Sequence, residues 1–172
     1  MKIYTPQGQQ NFEYVDGLEN LLTRQNLSFS TSSTGLVPVR TVELAPNLFD
    51  ADGKKLELEA EGNLDSVASA DTVQFGVNFD GAQVVVCSIG AVRDGGSVLP
   101  KVRLFRRGAN LVCYLYVESE PTQATQNNAQ LNGNWALIPN VDFSVAHTLT
   151  LTVRVGVNTS VLVLGALTGS VR

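Results

Sequence analysis

The sequence predicts an all-β fold with two sheets packed face to face, and three observations support this. Short apolar segments recur along the chain with Gly, Asp, Asn and Pro between them. In residues 55–61, Leu56, Leu58 and Ala60 alternate with charged residues, which describes a strand with one side in a core and the other in water. Strands do not alternate with long helical segments, so about nine or ten short strands favour a two-sheet sandwich over one open sheet.

The composition narrows the class of protein. The chain has 172 residues, enough for one domain, and 44% of them are hydrophobic, as in a globular protein. Only 16% of the residues are charged, so the surface could form contacts between subunits without costly desolvation of many charged groups. The net charge of −4 argues against a general nucleic-acid binder or a binder of anionic membranes. No apolar run reaches the roughly 18 residues of a membrane span, and residues 1–10 lack the apolar stretch of a signal peptide.

The N-terminal part differs from the rest. Residues 1–10 are polar and predict an extended tail. A helix is predicted over residues 12–25, although Gly17 weakens it, because apolar residues recur there at spacings of three and four. We therefore divide the chain into an arm of residues 1–30 and a sandwich of residues 31–172. The arm either packs on the domain or docks on another subunit through Phe12, Val15, Leu18 and Leu22.

Turn residues separate the predicted strands in order. The pair Asp80-Gly81 and the pair Gly108-Ala109 each predict a tight hairpin, and Pro38 indicates either a strand at a sheet edge or a position near the start of a strand. The polar stretch 119–134 interrupts the pattern and predicts a long loop. The predicted strands cover residues 27–30, 36–44, 55–62, 73–79, 82–89, 101–107, 110–118, 134–138, 148–155 and 161–171.

No catalytic or metal site is predicted. His147 is the single histidine, so a zinc site or a histidine-based triad lacks partners, and we interpret it as a polar residue at the start of a strand. Asp50, Asp52 and Gly53 resemble part of a calcium loop, but a tight turn needs the same residues and is favoured. Cys87 and Cys113 lie in apolar strand patterns, which favours buried free thiols over a disulfide in a chain made in a reducing cytoplasm.

A candidate ligand or partner surface is formed by basic and aromatic residues. In the basic segment 101–108, Arg103 and Arg107 share one strand face, and a solvated or subunit-facing strand is favoured over single-stranded nucleic-acid binding. Tyr114 and Tyr116 share a face of another strand and, with the lone Trp135, could line a sugar-binding surface. Aromatic rows on sheets more often belong to a core or an interface, so both alternatives stay open.

Five motifs occur in an order that resembles a known family. They are LAPNLFDADG at 44–53, KLELEAEG at 55–62, QFGVNFDG at 74–81, VRLFRRG at 102–108 and VDFSVAHTLTLTVRV at 141–155. This order resembles a small jelly-roll module found among structural proteins of tailed bacteriophages and prophages. The resemblance covers roughly residues 36–172. It departs from the family at Val77, where a second Gly often follows the Phe-Gly step.

The resemblance implies a jelly-roll sandwich in a virion, without catalytic residues or a cofactor. Proteins of this kind occur as capsid decoration or cement proteins, as head fibres and as tail-associated modules. It therefore implies other virion proteins and further copies of the same chain as partners, with no nucleic acid or membrane. The alternative is a receptor- or carbohydrate-binding adhesin module of a tail fibre, which would use Tyr114, Tyr116 and Trp135. An enzyme would need a carboxylate pair or a metal site that only folding could assemble.

Overall fold

The computed structural model describes residues 20–66, 71–92, 96–120, 130–156 and 160–171. Within these ranges the chain forms ten β-strands and no helix, so no helix there could cross a membrane. The strands are β1 (Asn20–Thr31), β2 (Val37–Leu44), β3 (Lys55–Ser66), β4 (Asp71–Phe79), β5 (Ala82–Val92), β6 (Ser97–Arg107), β7 (Asn110–Glu120), β8 (Gln130–Ile138), β9 (His147–Val155) and β10 (Ser160–Val171). The predicted all-β class is confirmed.

The strands form two antiparallel sheets with jelly-roll connectivity. The six-stranded sheet has the order β1-β10-β3-β6-β7-β8, and the four-stranded sheet has the order β2-β9-β4-β5. Early strands pair with late ones as β1–β10, β2–β9, β3–β6 and β4–β5, which is the nested pairing of a jelly roll. Strands β7 and β8 are additional to this pattern and extend the six-stranded sheet beyond β6. The two-sheet jelly-roll prediction is therefore confirmed.

One hydrophobic core lies between the two sheets. In β3, Leu56, Leu58 and Ala60 are 0%, 5% and 1% exposed, as the alternation of residues 55–61 predicts. The facing sheet contributes Phe75 from β4 and Val153 from β9, which are both fully buried. Burying each such side chain stabilises the fold by about 1.5–3 kcal/mol relative to leaving it exposed.

The hairpin and edge predictions are also confirmed. Asp80 and Gly81 have φ of 48° and 80°, as a turn with two left-handed residues requires, and they join β4 to β5. Gly108 has φ of 62° in the turn between β6 and β7. Pro38 lies in β2, an edge strand of the four-stranded sheet, beside an irregularity of the register.

The helix predicted over residues 12–25 is wrong for residues 20–25. These residues begin β1, which pairs with β10 from Asn20 opposite Val171 onward. Pairing along a whole strand satisfies backbone hydrogen bonds and covers the edge of β10, and this outweighs a weak helical periodicity. Leu22 is thus a strand residue opposite Gly169, and residues 20–30 belong to the sandwich rather than to an arm. The other proposed docking residues, Phe12, Val15 and Leu18, lie outside the described residues.

Candidate functional site

The outer face of the six-stranded sheet brings most of the candidate surface residues together. Antiparallel register places Trp135 of β8 opposite Tyr114 of β7, and Tyr114 opposite Arg103 of β6. Tyr116 lies two residues further along β7, on the same face. We call this surface, which points away from the core, the outer face; its residues include Lys55, Glu57, Glu59, Lys101, Arg103, Phe105, Tyr114, Tyr116, Glu118, Gly133, Trp135, Thr168 and Ser170.

Tyr114 lies at the centre of an aromatic cluster on the outer face. Its ring centroid is 5.9 Å from that of Phe105, 5.8 Å from that of Tyr116 and 6.3 Å from that of Trp135. Ring pairs at such distances attract each other beyond the burial of area. Trp135 is nevertheless 60% exposed, so its indole is both held by a neighbour and open to solvent.

A glycine creates the space that Tyr116 occupies. A Cβ added at Gly133 would lie 2.7 Å from Cδ1 of Tyr116, closer than real Cβ contacts. The ring of Tyr116 therefore lies over the backbone of β8, which no larger residue at position 133 would allow without a shift. This is the physical reason for a glycine inside an edge strand.

Ion pairs cover the part of the outer face beside the aromatic cluster. The Arg103 Nε–H donates to Glu57 Oε1 at 2.6 Å, and Lys55 Nζ lies 3.7 Å from the same oxygen. Lys101 Nζ lies between two carboxylates, 3.8 Å from Glu59 and 3.4 Å from Glu118. Solvent-exposed pairs contribute about 0–1 kcal/mol each to stability, so their main effect is to fix the charged groups in position.

An open groove of about 560 Å³ lies among these charged residues, next to Tyr116. Its volume falls within the range of about 300–1,000 Å³ that is usual for small-molecule sites. Hydroxyl groups of β10 form its far side. The polar and aromatic residues that line it are Glu57, Glu59, Lys101, Arg103, Tyr116, Thr168 and Ser170.

The edge strand β8 carries further exposed apolar side chains. Leu131 and Leu137, on the same side of the strand as Trp135, are 67% and 50% exposed. On its other side, Asn132 Nδ2 donates to the carbonyl oxygen of Ser88 at 2.6 Å, and Asn134 Nδ2 donates to that of Val86 at 3.0 Å. These two bonds tie β8 to β5, the edge of the opposite sheet. The exposed side chains of Leu131, Trp135 and Leu137 therefore lie on a strand that is held by β7 through backbone pairing and by β5 through these two hydrogen bonds.

The sequence identified only part of this surface. Arg107 is exposed at the end of β6 and lies beyond the aromatic cluster, opposite Asn110. Glu57 and Glu59 lie on the solvent side of β3, as the alternation predicts, but the sequence does not indicate that they line a groove. Alternation places a residue on a face of its strand, but it does not reveal which strand lies next to it.

The predicted turn at Asp50–Gly53 is confirmed. Asp52 Oδ1 accepts a hydrogen bond from the backbone N–H of Gly108 at 2.8 Å, and Gly53 has φ of 86°. The carboxylate thus links this connector to the β6–β7 turn. In the ranges that the structure describes, no three His, Cys, Asp or Glu side chains come together in a group that could hold a metal ion.

Both cysteines are buried free thiols, as predicted. Cys87 in β5 and Cys113 in β7 are 4% and 0% exposed. Burial raises the pKa of both thiols, that of Cys113 to about 12. The nucleophilic thiolate is therefore scarce at neutral pH, and neither cysteine has the environment of a reactive residue.

Residues from three of the five sequence motifs, at 44–53, 102–108 and 141–155, meet at one end of the sandwich. The backbone N–H of Asn47 donates to the carbonyl oxygen of Phe143 at 2.7 Å, and the Phe49 and Phe143 rings lie 6.3 Å apart. Arg106 Nη1 donates to the carbonyl oxygen of Phe49 at 2.7 Å, and its guanidinium lies 4.3 Å from the centroid of the Phe143 ring. We call this set, Asn47, Phe49, Arg106 and Phe143, the motif cluster.

His147 has a structural role near the motif cluster. Its Nδ1 lies 2.7 Å from Asp80 Oδ2, and its Nε2 lies 2.8 Å from the carbonyl oxygen of Asp142. Asp80 Oδ1 also accepts a hydrogen bond from the backbone N–H of Thr148 at 2.8 Å. The β4–β5 turn is thereby joined to the start of β9, which agrees with the interpretation of His147 as a polar residue at a strand start.

Comparisons with known proteins return only remote structural likeness. No family model matches the chain, and no curated protein matches it. Similar solved structures include the insecticidal delta-endotoxin Cry8Ea1 from Bacillus thuringiensis, at 14% identity and a TM-score of 0.39 over 83% of this chain. The chain spans 19% of that toxin's length.

Two further structures cover a similar share of both chains. Arcelin-5, a lectin-like defence protein from Phaseolus vulgaris, has 9% identity and a TM-score of 0.40, over 94% of this chain and 95% of its own. The CBM2 module of the evolved Dit of Lactobacillus casei BL23 phage J-1 has 9% identity and a TM-score of 0.24, over 69% of this chain and 68% of its own. Likeness this remote carries no functional conclusion.

Proposed function

We propose that this protein is a non-enzymatic accessory component of a bacteriophage virion, attached to capsid or tail proteins as a homo-oligomer. It is made in the host cytoplasm and resides in the particle. The observation that carries this proposal is the motif cluster. Motifs that resemble the phage jelly-roll module are far apart in the sequence, yet Asn47, Phe49, Arg106 and Phe143 contact each other.

These contacts support the resemblance because they explain why these motifs occur together in one chain. The connector at residues 44–53 packs against the segment at 141–147 and the β6–β7 turn, so the motifs depend on each other for their conformation. A set of interdependent turn residues is a more specific signature than any one turn. The role on the particle comes from the resemblance, and the contacts explain why the residues that carry it occur together.

Particle composition tests this proposal. Virions are purified by density-gradient centrifugation from a culture that makes this chain. Mass spectrometry should detect the chain in the purified particles, and an antiserum against it should label intact particles. Light scattering on the purified protein should give a mass of more than one chain. Particles that lack the chain while it accumulates as a free monomer in the lysate would contradict the proposal.

A second candidate function is a receptor-binding adhesin module, and the outer face favours it. Trp135 is 60% exposed and lies beside Tyr114, whose ring stacks on those of Phe105 and Tyr116, and Tyr116 in turn lines the groove. A strand that served only as scaffold would carry polar residues at such an exposed position. Fluorescently labelled protein should then bind host cells, and Trp135→Ala should reduce this binding. Val163→Ala is the matched control, since Val163 is a 44% exposed apolar residue at the end of β10 opposite to Thr168 and Ser170, which line the groove. Equal binding by the two variants would exclude the outer face as the receptor site.

A further inference from the structure

Two rows of residues cross the outer face at right angles to the strands. Each row has one position in β8, β7, β6, β3 and β10, as the strand registers show. Neighbouring strands lie about 4.8 Å apart, so each row extends about 19 Å. The first row is Trp135, Tyr114, Arg103, Glu57 and Ser170, and the second is Gly133, Tyr116, Lys101, Glu59 and Thr168.

The charged side chains in and beside these rows neutralise each other in ion pairs. Lys55, Lys101 and Arg103 each lie within ion-pair distance of at least one of the carboxylates Glu57, Glu59 and Glu118. A charged ligand would find no excess of opposite charge among these groups. To bind one of them, it would have to compete with that group's present ion-pair partner. The surface therefore suits a ligand without charge.

The same groups suit a ligand rich in hydroxyl groups. Among the described contacts, Arg103 uses its Nε–H with Glu57, whereas a guanidinium has five N–H donors in all. A carboxylate has about four lone-pair sites, so Glu57 and Glu59 can also accept further hydrogen bonds. A hydroxyl group can donate to a carboxylate and accept from a guanidinium or an ammonium, which leaves the ion pairs intact.

The aromatic residues provide the apolar part of such a site. Sugars present both hydroxyl groups and an apolar C–H face, and an exposed indole matches that face. The Trp135 ring is held by Tyr114 at a centroid distance of 6.3 Å, and Tyr116 forms a wall of the groove. Side chains that are already ordered lose little conformational entropy on binding.

We propose that the outer face binds an uncharged oligosaccharide that lies across the strands. One sugar stacks on the indole of Trp135, and the chain of sugars continues into the groove between Tyr116 and Ser170. There its hydroxyl groups bond to Glu57, Glu59, Arg103 and Thr168. This inference rests on the second candidate function, because it names the receptor chemistry of the adhesin. The virion proposal stands without it.

A glycan array is the direct test. The full chain is applied to neutral, sialylated and uronic-acid-containing oligosaccharides, and it should select neutral members. Because no net charge is involved, affinity should change less than about twofold between about 0.05 M and about 0.5 M NaCl. Binding to no member of the array, or a preference for charged members that weakens with salt, overturns the proposal.

Variants locate the ligand on the two rows. Trp135→Ala should weaken binding by about tenfold or more. Thr168→Val, at the far end of the second row, should weaken it by about threefold or more, because it removes a hydroxyl at nearly constant volume. Val163→Ala should leave the affinity unchanged. The thermal unfolding midpoint of each variant shows whether a loss of binding reflects a loss of folding.

The outcomes separate this inference from the functions above. A protein that binds host cells through Trp135 but selects charged glycans keeps the adhesin function and loses the inference. A protein that binds neither cells nor glycans loses both, while its presence in particles would still support the virion role. If Trp135→Ala instead lowers the oligomeric mass in light scattering and glycan binding is absent, the outer face is a protein interface and the inference is wrong.

Discussion

At the scale of single residues, side chains near the motif cluster link turns that are far apart in the sequence. Burial alone would raise the pKa of Asp80, but the hydrogen bond from the Thr148 N–H and the interactions with His147 outweigh it and lower this pKa below its ordinary value. The ionised carboxylate is thus favoured by folding. Asp80 therefore contributes stability above its unfolded-state pKa of about 4, and this contribution is lost as the pH falls through the lower folded-state pKa.

Replacing this carboxylate tests its contribution. Asp80→Asn should lower the free energy of unfolding by about 1 kcal/mol at pH 7, because the charged acceptor for Thr148 and His147 is lost. Asn tolerates the left-handed conformation at φ 48°, so the turn itself is not strained. Urea unfolding at about pH 7 and about pH 3 measures the effect, which should shrink at the lower pH as the wild-type carboxyl is protonated.

A matched control is Asp50→Asn. Asp50 is a turn carboxylate paired only loosely with Lys54, at 3.9 Å, and its replacement should change stability by a few tenths of a kcal/mol at most. A destabilisation by Asp80→Asn that is the same at both pH values would show that the charge is not the cause.

At the scale of secondary-structure elements, close approach of strands explains a glycine that the alternating pattern does not. Gly62 of β3 lies opposite Leu164, next to the register shift between Leu164 and Ala166 of β10. A Cβ at position 62 would lie 2.6 Å from the carbonyl oxygen of Val163 and would contact the Leu164 side chain. The last residue of the KLELEAEG motif is therefore a glycine because of its partner strand.

Gly62→Ala should accordingly destabilise the fold by about 1–3 kcal/mol, since a backbone oxygen must move to admit the methyl group. Gly165→Ala is the control: Gly165 lies within the same irregularity of β10, and a Cβ there would meet nothing within 4 Å. Thermal unfolding followed by circular dichroism measures both variants. Equal midpoints for the two alanine variants would show that the bulge relaxes easily and that the close approach is unimportant.

At the scale of the whole molecule, the first and last described strands, β1 and β10, pair in the six-stranded sheet. Residues from Asn20 onward pair with the last strand up to Val171, and the core of both sheets is continuous. Opening either sheet therefore exposes the interior shared with the other. We expect the domain to unfold as one cooperative unit.

Thiol labelling tests this cooperativity. Cys87 and Cys113 belong to different sheets, are both buried and have raised pKa values, so Ellman's reagent should modify neither in the native protein. Under increasing urea, both should become reactive over the same range in which the circular dichroism signal is lost. Variants Cys87→Ala and Cys113→Ala assign each signal. Labelling of one thiol well before the other would indicate that one sheet opens independently.

The all-β class, most strand positions, the two tight hairpins, the edge position of Pro38 and the buried thiols could be predicted from the sequence. The loop predicted over residues 119–134 is wrong at its ends, because β7 continues to Glu120 and β8 begins at Gln130. Each confirmed prediction depends on local information: the period of two, the left-handed conformation at Asp80-Gly81, and the apolar neighbours of Cys87 and Cys113. The face of the strand that carries Tyr114 and Tyr116 followed from the same alternation. In these cases the residues nearest in the chain determine the outcome.

Only the tertiary structure decided which strands are neighbours. Residues 20–25 have a weak helical periodicity, yet they form a strand because β10, at the other end of the chain, offers an edge to pair with. Likewise, Glu57 becomes part of a groove because β6 lies beside β3, which places the Arg103 Nε 2.6 Å from Glu57 Oε1. Alternation determines the side of a strand on which a residue lies. Pairing between segments that are distant in the sequence determines which residues lie beside it on the sheet. The candidate site consists of residues from several paired strands, so only the tertiary structure could reveal it.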